Sequence, residues 1–149
     1  LRRQRQMCIR DRKKINKVID EYDKNKGMTI GLSKDLGIIT HYIADYFTFP
    51  HNIEYPGTMT EHIHYEAQLK VDFREFVQKM KEKHAHFQEV NMQSADEICT
   101  FIRKCHEEYL HAVKSVENDC RYILQICAQV VGAILHLLQQ NSMPLGCYM

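Results

Sequence analysis

LGIITHYIADYF, residues 36–47, is apolar on nearly every side of a helical wheel, the pattern of a buried central helix. Two polar side chains, His41 and Asp45, interrupt it. They are four residues apart and so share one helix face. Upstream, KKINKVIDEYDK at 13–24 places Ile15, Val18, Ile19 and Tyr22 at helical spacing. NKG at 25–27 stops that helix, with Gly27 suited to a left-handed cap. Downstream, PHNIEYPG at 50–57 is a loop held by Pro50, Pro56 and Gly57.

The pattern continues outward. TMTE at 58–61 fits a capping box, Thr58 with Glu61, and opens a long helix expected to run to about residue 86. Val71, Phe73, Phe76, Val77 and Met80 are its expected core side. NMQ breaks it, and SADE at 94–97 is a second capping box. The helix after it should reach about Val113, with Ile98, Phe101, Ile102, Cys105 and Tyr109 inward. KSVEND marks a kink before a last helix from about 117 to 140. Within it, YILQICAQVVGAILHLL is 17 residues, long enough to raise the question of a membrane span. Gln125, Gln129, Gly132 and His136 recur along one face, however, so it reads as a core helix rather than a transmembrane segment. The expectation is an all-α chain, a bundle of five or so helices with no strand.

Composition agrees with this. At 149 residues, with 44% hydrophobic and 26% charged residues, the chain has the size and balance of one soluble domain. The formal charge of +1 is skewed by residues 1–12, which hold five arginines against Asp11. Without them 15 basic and 18 acidic residues remain, so the body is not a basic nucleic-acid binder. Cys8 stands apart, and Cys99, Cys105, Cys120, Cys127 and Cys147 form no paired CxxC spacing. They are expected as free thiols on helix faces. No secretory signal is visible, and the compartment stays open.

Chemistry is expected from five residues. A second pair, His62 and Glu66, repeats the step of four, and His51 falls between the pairs on the proline-bracketed loop. The string is H-x3-D-x5-H-x10-H-x3-E. Neutral imidazoles with carboxylates suit zinc, at bond lengths of about 2.0–2.2 Å. An ionisable pair in an apolar helix is costly unless it is paired or metal-bound, which favours one shared site over two helix ion pairs. His64 lies off the ligand face. His84 and His86 should be solvated, His106 and His111 share no face, and His136 should be a satisfied buried histidine. Tyr42, Tyr46 and Phe47 should surround the cluster.

LGIITHYIADYFTFPHN at 36–52 followed by TEHIHYEAQL at 60–69 resembles the zinc-dependent phospholipase C family, which shares its fold with the S1/P1 nucleases. The resemblance covers roughly residues 30–75. It implies an all-helical bundle, a cluster of up to three zinc ions, and phospholipid head-group hydrolysis by a metal-bound hydroxide. It implies that His41 and Asp45 are ligands, with Asp45 bridging two metals, and that His51, His62 and Glu66 complete one zinc site. Peripheral membrane contact is a further implication. Family ligands expected upstream are absent: residues 13–40 contain no histidine, and Asp20, Asp23 and Asp35 match no motif. About one zinc and little activity are therefore expected, with the general base lying further upstream. The alternatives are an S1/P1-like nuclease and a non-catalytic helical domain with one structural zinc. A di-iron bundle is disfavoured because it uses Glu-x-x-His.

The opening LRRQRQMCIRDR has its own reading. Residues 2–11 match, in order, the translation of the transposase-end sequencing adapter used in tagmentation libraries. The two leftover bases allow only Arg or Ser, and the chain has Arg12. The expectation is a non-native segment at 1–12 and a partial, N-terminally truncated helical domain at 13–149. A phosphate-contacting basic arm is the competing reading.

Overall fold

The helices start and stop where backbone chemistry demands. The computed structural model describes residues 2–52 and 55–141, with side chains from Ile9 onward. Five α-helices run in order: α1 (Arg2–Glu21), α2 (Ile30–Tyr46), α3 (Met59–Glu82), α4 (Ala95–His111) and α5 (Val116–Asn141). A single 3-10 turn, Phe49–His51, lies between α2 and α3, and no strand occurs among the described residues. The all-α expectation holds. Cys8 and Cys147 fall outside the described side chains, while Cys99, Cys105, Cys120 and Cys127 are free thiols.

The caps match the residues that announced them only in part. α1 ends at Glu21, ahead of NKG, so Gly27 closes the turn that follows rather than capping the helix: it adopts φ +58°, where a β-carbon would be strained, and its N–H donates to the Asp23 carbonyl at 3.2 Å. Thr29 caps α2 by accepting from the Leu32 N–H at 3.0 Å. At α3 the capping box is complete: Thr58 Oγ1 accepts from the Glu61 N–H at 3.2 Å, and Glu61 accepts from the Thr58 N–H at 2.6 Å. SADE behaves differently. Ser94 accepts from the Glu97 N–H, but the Glu97 carboxylate takes the Gln93 N–H instead, at 2.6 Å.

α1 begins at Arg2, upstream of the helical spacing at 13–24. One boundary departs from expectation. α3 stops at Glu82, short of residue 86, because His84 turns left-handed at φ 50°. The His84 N–H meets the Lys81 carbonyl and the Ala85 N–H meets Met80, both at 3.0 Å, a Schellman closure with histidine in the usual glycine position. No glycine marks the stop, which is why spacing alone overruns it.

The core is built around α5, which packs on α2, α3 and α4, while α1 packs on α2 and α4. Ile15 and Val18 from α1, Leu36, Ile39 and Ile43 from α2, Ile98 and Ile102 from α4, and Ile126, Val130 and Ile134 from α5 form one buried cluster. Each such side chain contributes about 1.5–3 kcal/mol by leaving water. α5 is long and apolar enough to cross a membrane by length and composition alone, with 44% of its most apolar window buried in the bundle. Its polar stripe faces the segment after α3, where Gln129 Nε2 donates to the Gln88 carbonyl at 3.0 Å. His136 is exposed rather than buried, and it bonds Gln140 one turn on.

α2 is not the all-round buried helix its composition suggests. One face, Leu36, Ile39, Ile43 and Tyr46, is buried, and the opposite side is open. His41 and Asp45 lie on the open side, so their presence needs no desolvation argument. In α3 the buried residue is Leu69, with Phe73 and Phe76 packed partly against the core, whereas Val71 is 54% exposed. α3 thus lies against the bundle by a narrow stripe, leaving its first turns accessible.

Candidate metal centre

His51 comes from the 3-10 turn, whose Pro50 is buried and whose short geometry projects the next side chain outward. His62 and Glu66 come from successive turns of α3, where a step of four aligns them. The two elements meet at Glu66. His51 Nε2 lies 2.5 Å from Glu66 Oε1, and His62 Nε2 lies 3.3 Å from the same oxygen. One donor atom from each of the three residues falls within 4.8 Å of the others. Ligands of a tetrahedral zinc stand about 3.4 Å apart at ordinary bond lengths. Two imidazole nitrogens and a carboxylate converging from two elements therefore fit such an ion without rearrangement of the backbone.

Charge favours the same use. The hydrogen bond from His51 holds the Glu66 carboxyl below the usual carboxylate range, with a second contribution from His62 and partial burial working against both. The group is thus anionic near neutrality, as a ligand must be. Asp45 lies beside the trio, with Oδ1 3.8 Å from His51 Nδ1 and Oδ2 3.6 Å from His41 Nε2. The His41 side chain, 71% exposed, sits at the outer edge. The structure therefore brings His51, His62 and Glu66 together, sets Asp45 alongside, and leaves His41 beyond it.

The aromatic surroundings differ from expectation. Tyr46 and Phe47 turn into the core, where Tyr46 stacks on the His106 ring at 3.6 Å between centroids. Tyr42 stays near His41, at 6.2 Å between rings. The aromatics nearest the centre are Tyr55, 6.1 Å from the His62 ring, and Phe49, packed edge-on against Tyr55. A β-carbon at Gly57 would meet the Tyr55 ring, so a larger residue there would displace that ring. His64 is exposed and lines a shallow groove with Tyr55, Glu61 and Gln68.

The segment carrying His51 is held from below by buried polar groups that spacing arguments pass over. Asp119, fully buried at the start of α5, accepts from the Phe49 N–H and from the Tyr65 hydroxyl, each at 2.8 Å, through Oδ2. Its Oδ1 accepts from the Tyr109 hydroxyl at 2.7 Å. Burial pushes the Asp119 carboxyl up, and the three donors oppose that shift. Burial and the adjacent carboxylate push both tyrosine hydroxyls up, so they stay protonated donors. One residue past His51, Asn52 donates to the Thr48 carbonyl at 2.9 Å, and its Oδ1 meets His106 Nε2 at 2.8 Å. A signal for these existed. Asp119 is in register with Ile123, Ile126 and Val130, and His106 with Ile102 and Tyr109, so both fall on buried faces.

A family model described as zinc dependent phospholipase C matches residues 9–116. The match reaches beyond the two metal-ligand motifs to take in α2, α3 and α4 whole and most of α1, and it begins inside the arginine-rich opening segment. No curated protein and no solved structure matches the chain.

Proposed function

Because the chain belongs to the zinc dependent phospholipase C family, we propose that it is a zinc-dependent phosphodiester hydrolase acting on phospholipid head groups, with His51, His62 and Glu66 as the core of its metal centre. The observation that carries this reading is the convergence of His51 and His62 on one Glu66 oxygen, from two elements, at the motif positions the family resemblance marks.

Zinc held there would supply Lewis-acid polarisation of a phosphodiester oxygen and a water of lowered pKa. The chain's own residues define the rest. His62 and Glu66 are fixed on one face of α3 by the capping box one turn earlier, with the His62 N–H bonded to the Thr58 carbonyl at 2.9 Å. Glu66 supplies the anionic ligand and takes the hydrogen bond of His51. Asp45 and His41 extend the donor set outward along α2, where Asp45 would serve a second cation. Tyr55 and the exposed first turns of α3 frame one side, the place for a head group beside the metal.

Metal analysis of the purified chain tests the centre. About one zinc per chain is expected, lost in His62→Ala. A wild-type chain without zinc, or His62→Ala with undiminished zinc, refutes it. Substrate class is tested on the zinc-loaded chain: slow turnover of a phosphocholine ester, abolished by chelator, is expected, and preferential cleavage of single-stranded DNA would transfer the reading to a nuclease.

A further inference from the structure

We propose that Asp119 is the positioning residue of the metal centre: its carboxylate fixes the backbone that presents His51 and the helix that presents Glu66, through the Phe49 N–H and the Tyr65 hydroxyl. The inference rests on the reading of His51, His62 and Glu66 as the metal centre and adds what holds them in place.

The geometry is specific. Oδ2 of Asp119 accepts from both Phe49, two residues before His51, and Tyr65, the residue before Glu66. The two elements that supply the ligands are therefore tied to one oxygen atom on a third. The other oxygen takes the Tyr109 hydroxyl of α4, a helix that carries no ligand. The N–H of Asp119 bonds the Ser115 carbonyl at 3.0 Å, anchoring it to the first turn of α5. Lys114, which donates to the Tyr109 and Leu110 carbonyls, is the cation whose charge reaches this carboxylate. No ligand-bearing element can shift relative to the other without breaking a hydrogen bond to a fully buried anion. That is the arrangement by which residues behind the ligands tune metal affinity. Neither the 3-10 turn nor the first turns of α3 contribute much to the core, so side-chain anchoring has to replace packing there.

The experiment compares Asp119→Asn with Tyr109→Phe in the full chain, and probes zinc by competition against a chromophoric chelator. The amide introduced by Asp119→Asn keeps only one acceptor oxygen and sets a donor NH₂ beside the three hydrogen-bond donors, so the ties now made by the carboxylate cannot all survive. The expected result is a loss of zinc affinity of about 10–100-fold with faster hydrogen exchange at the Phe49 amide. Tyr109→Phe removes a bond of similar strength behind the carboxylate and serves as the control for stability alone. It should lower the melting temperature while keeping zinc affinity within about threefold of wild type. Wild-type zinc affinity in a folded Asp119→Asn, or an equal loss of affinity in Tyr109→Phe, overturns the proposal. Should Asp119→Asn fail to fold, Tyr65→Phe carries the test, since it cuts the tie to α3 alone. A severalfold loss of zinc affinity supports the anchor, and no loss overturns it. A wild-type chain that takes up no zinc refutes the metal reading instead, and exchange at Phe49 in Asp119→Asn then decides the anchor by itself.

Discussion

Acidification should loosen the floor of the candidate metal centre through His106, and the size of the effect follows from where that ring sits. His106 is 2% exposed, stacks on Tyr46 and donates from Nε2 to Asn52, one residue past His51. Burial pulls its pKa down from 6.5 to about 4, aided by the charge of Lys114 and opposed by the Tyr46 backbone. In the unfolded chain the ring takes up a proton as pH falls below about 6.5, whereas the folded chain resists until about 4. The unfolded state therefore binds more protons across that window. The stabilisation is complete above pH 6.5 and is lost as pH falls toward 4. By pH 5 the loss is about 2 kcal/mol, from about 1.5 pH units at about 1.36 kcal/mol each. Other groups titrate in the same range, so the measurement is a difference. Urea denaturation of wild type and His106→Gln is followed by circular dichroism from pH 7.5 to 5, with chelator present to remove any contribution from metal. Glutamine keeps a donor for Asn52 but cannot titrate, and its lost stacking is a constant offset. The deficit of the variant should shrink by about 2 kcal/mol over that range. Parallel stability curves would refute the assignment of His106 as a buried neutral imidazole.

Two further outcomes are expected. Asp11, 3% exposed with no hydrogen-bond partner for Oδ1 among the described residues, has its pKa raised by burial from 3.8 to about 7. The folded state binds the extra proton, so stability is full below about pH 4 and lost as pH rises through 7. Asp11→Asn should therefore exceed wild type by up to about 4 kcal/mol at pH 8 and converge with it near pH 4, read from melting curves; equal melting at pH 8 would count against a buried Asp11. Thr58→Ala should cost about 1 kcal/mol in urea denaturation by opening the capping box of α3. It should also weaken zinc uptake, because His62 sits one turn inside that cap, and Thr58→Ser should restore both.

Local signals made most of the helices legible. Thr58 and Ser94 each act through the few backbone atoms beside them, so their chemistry can be read without knowing the fold. His84 shows the limit of that approach. A histidine can take the left-handed turn that ends α3, but nothing in its type announces it. The metal candidates were legible for a similar reason, since His62 and Glu66 meet through helix geometry alone. His51 joins them only because of tertiary packing, which the spacing can suggest but not produce.

What spacing misjudges is which face of each helix is wet. The apolar content of α2 suggests burial on all sides, yet Ile38 and Ala44 are only half-buried and His41 stands in solvent. A helix that is apolar all round must find neighbours on every side, and α2 has them along the stripe facing α1 and α5 and, at Tyr46, against His106 of α4. The opposite error hides Asp119 and His106. Spacing passes over both, although each continues a buried register that begins or ends with isoleucine. An ionisable residue in a buried register is costly unless its neighbours satisfy it, and here they do so with Phe49, Tyr65 and Tyr109 for one and Asn52 for the other. The exposed pair on α2 draws attention for a desolvation cost it does not bear. That cost is borne by Asp119 and His106, beside the turn that carries His51, where it is offset by the hydrogen bonds that hold that turn in place.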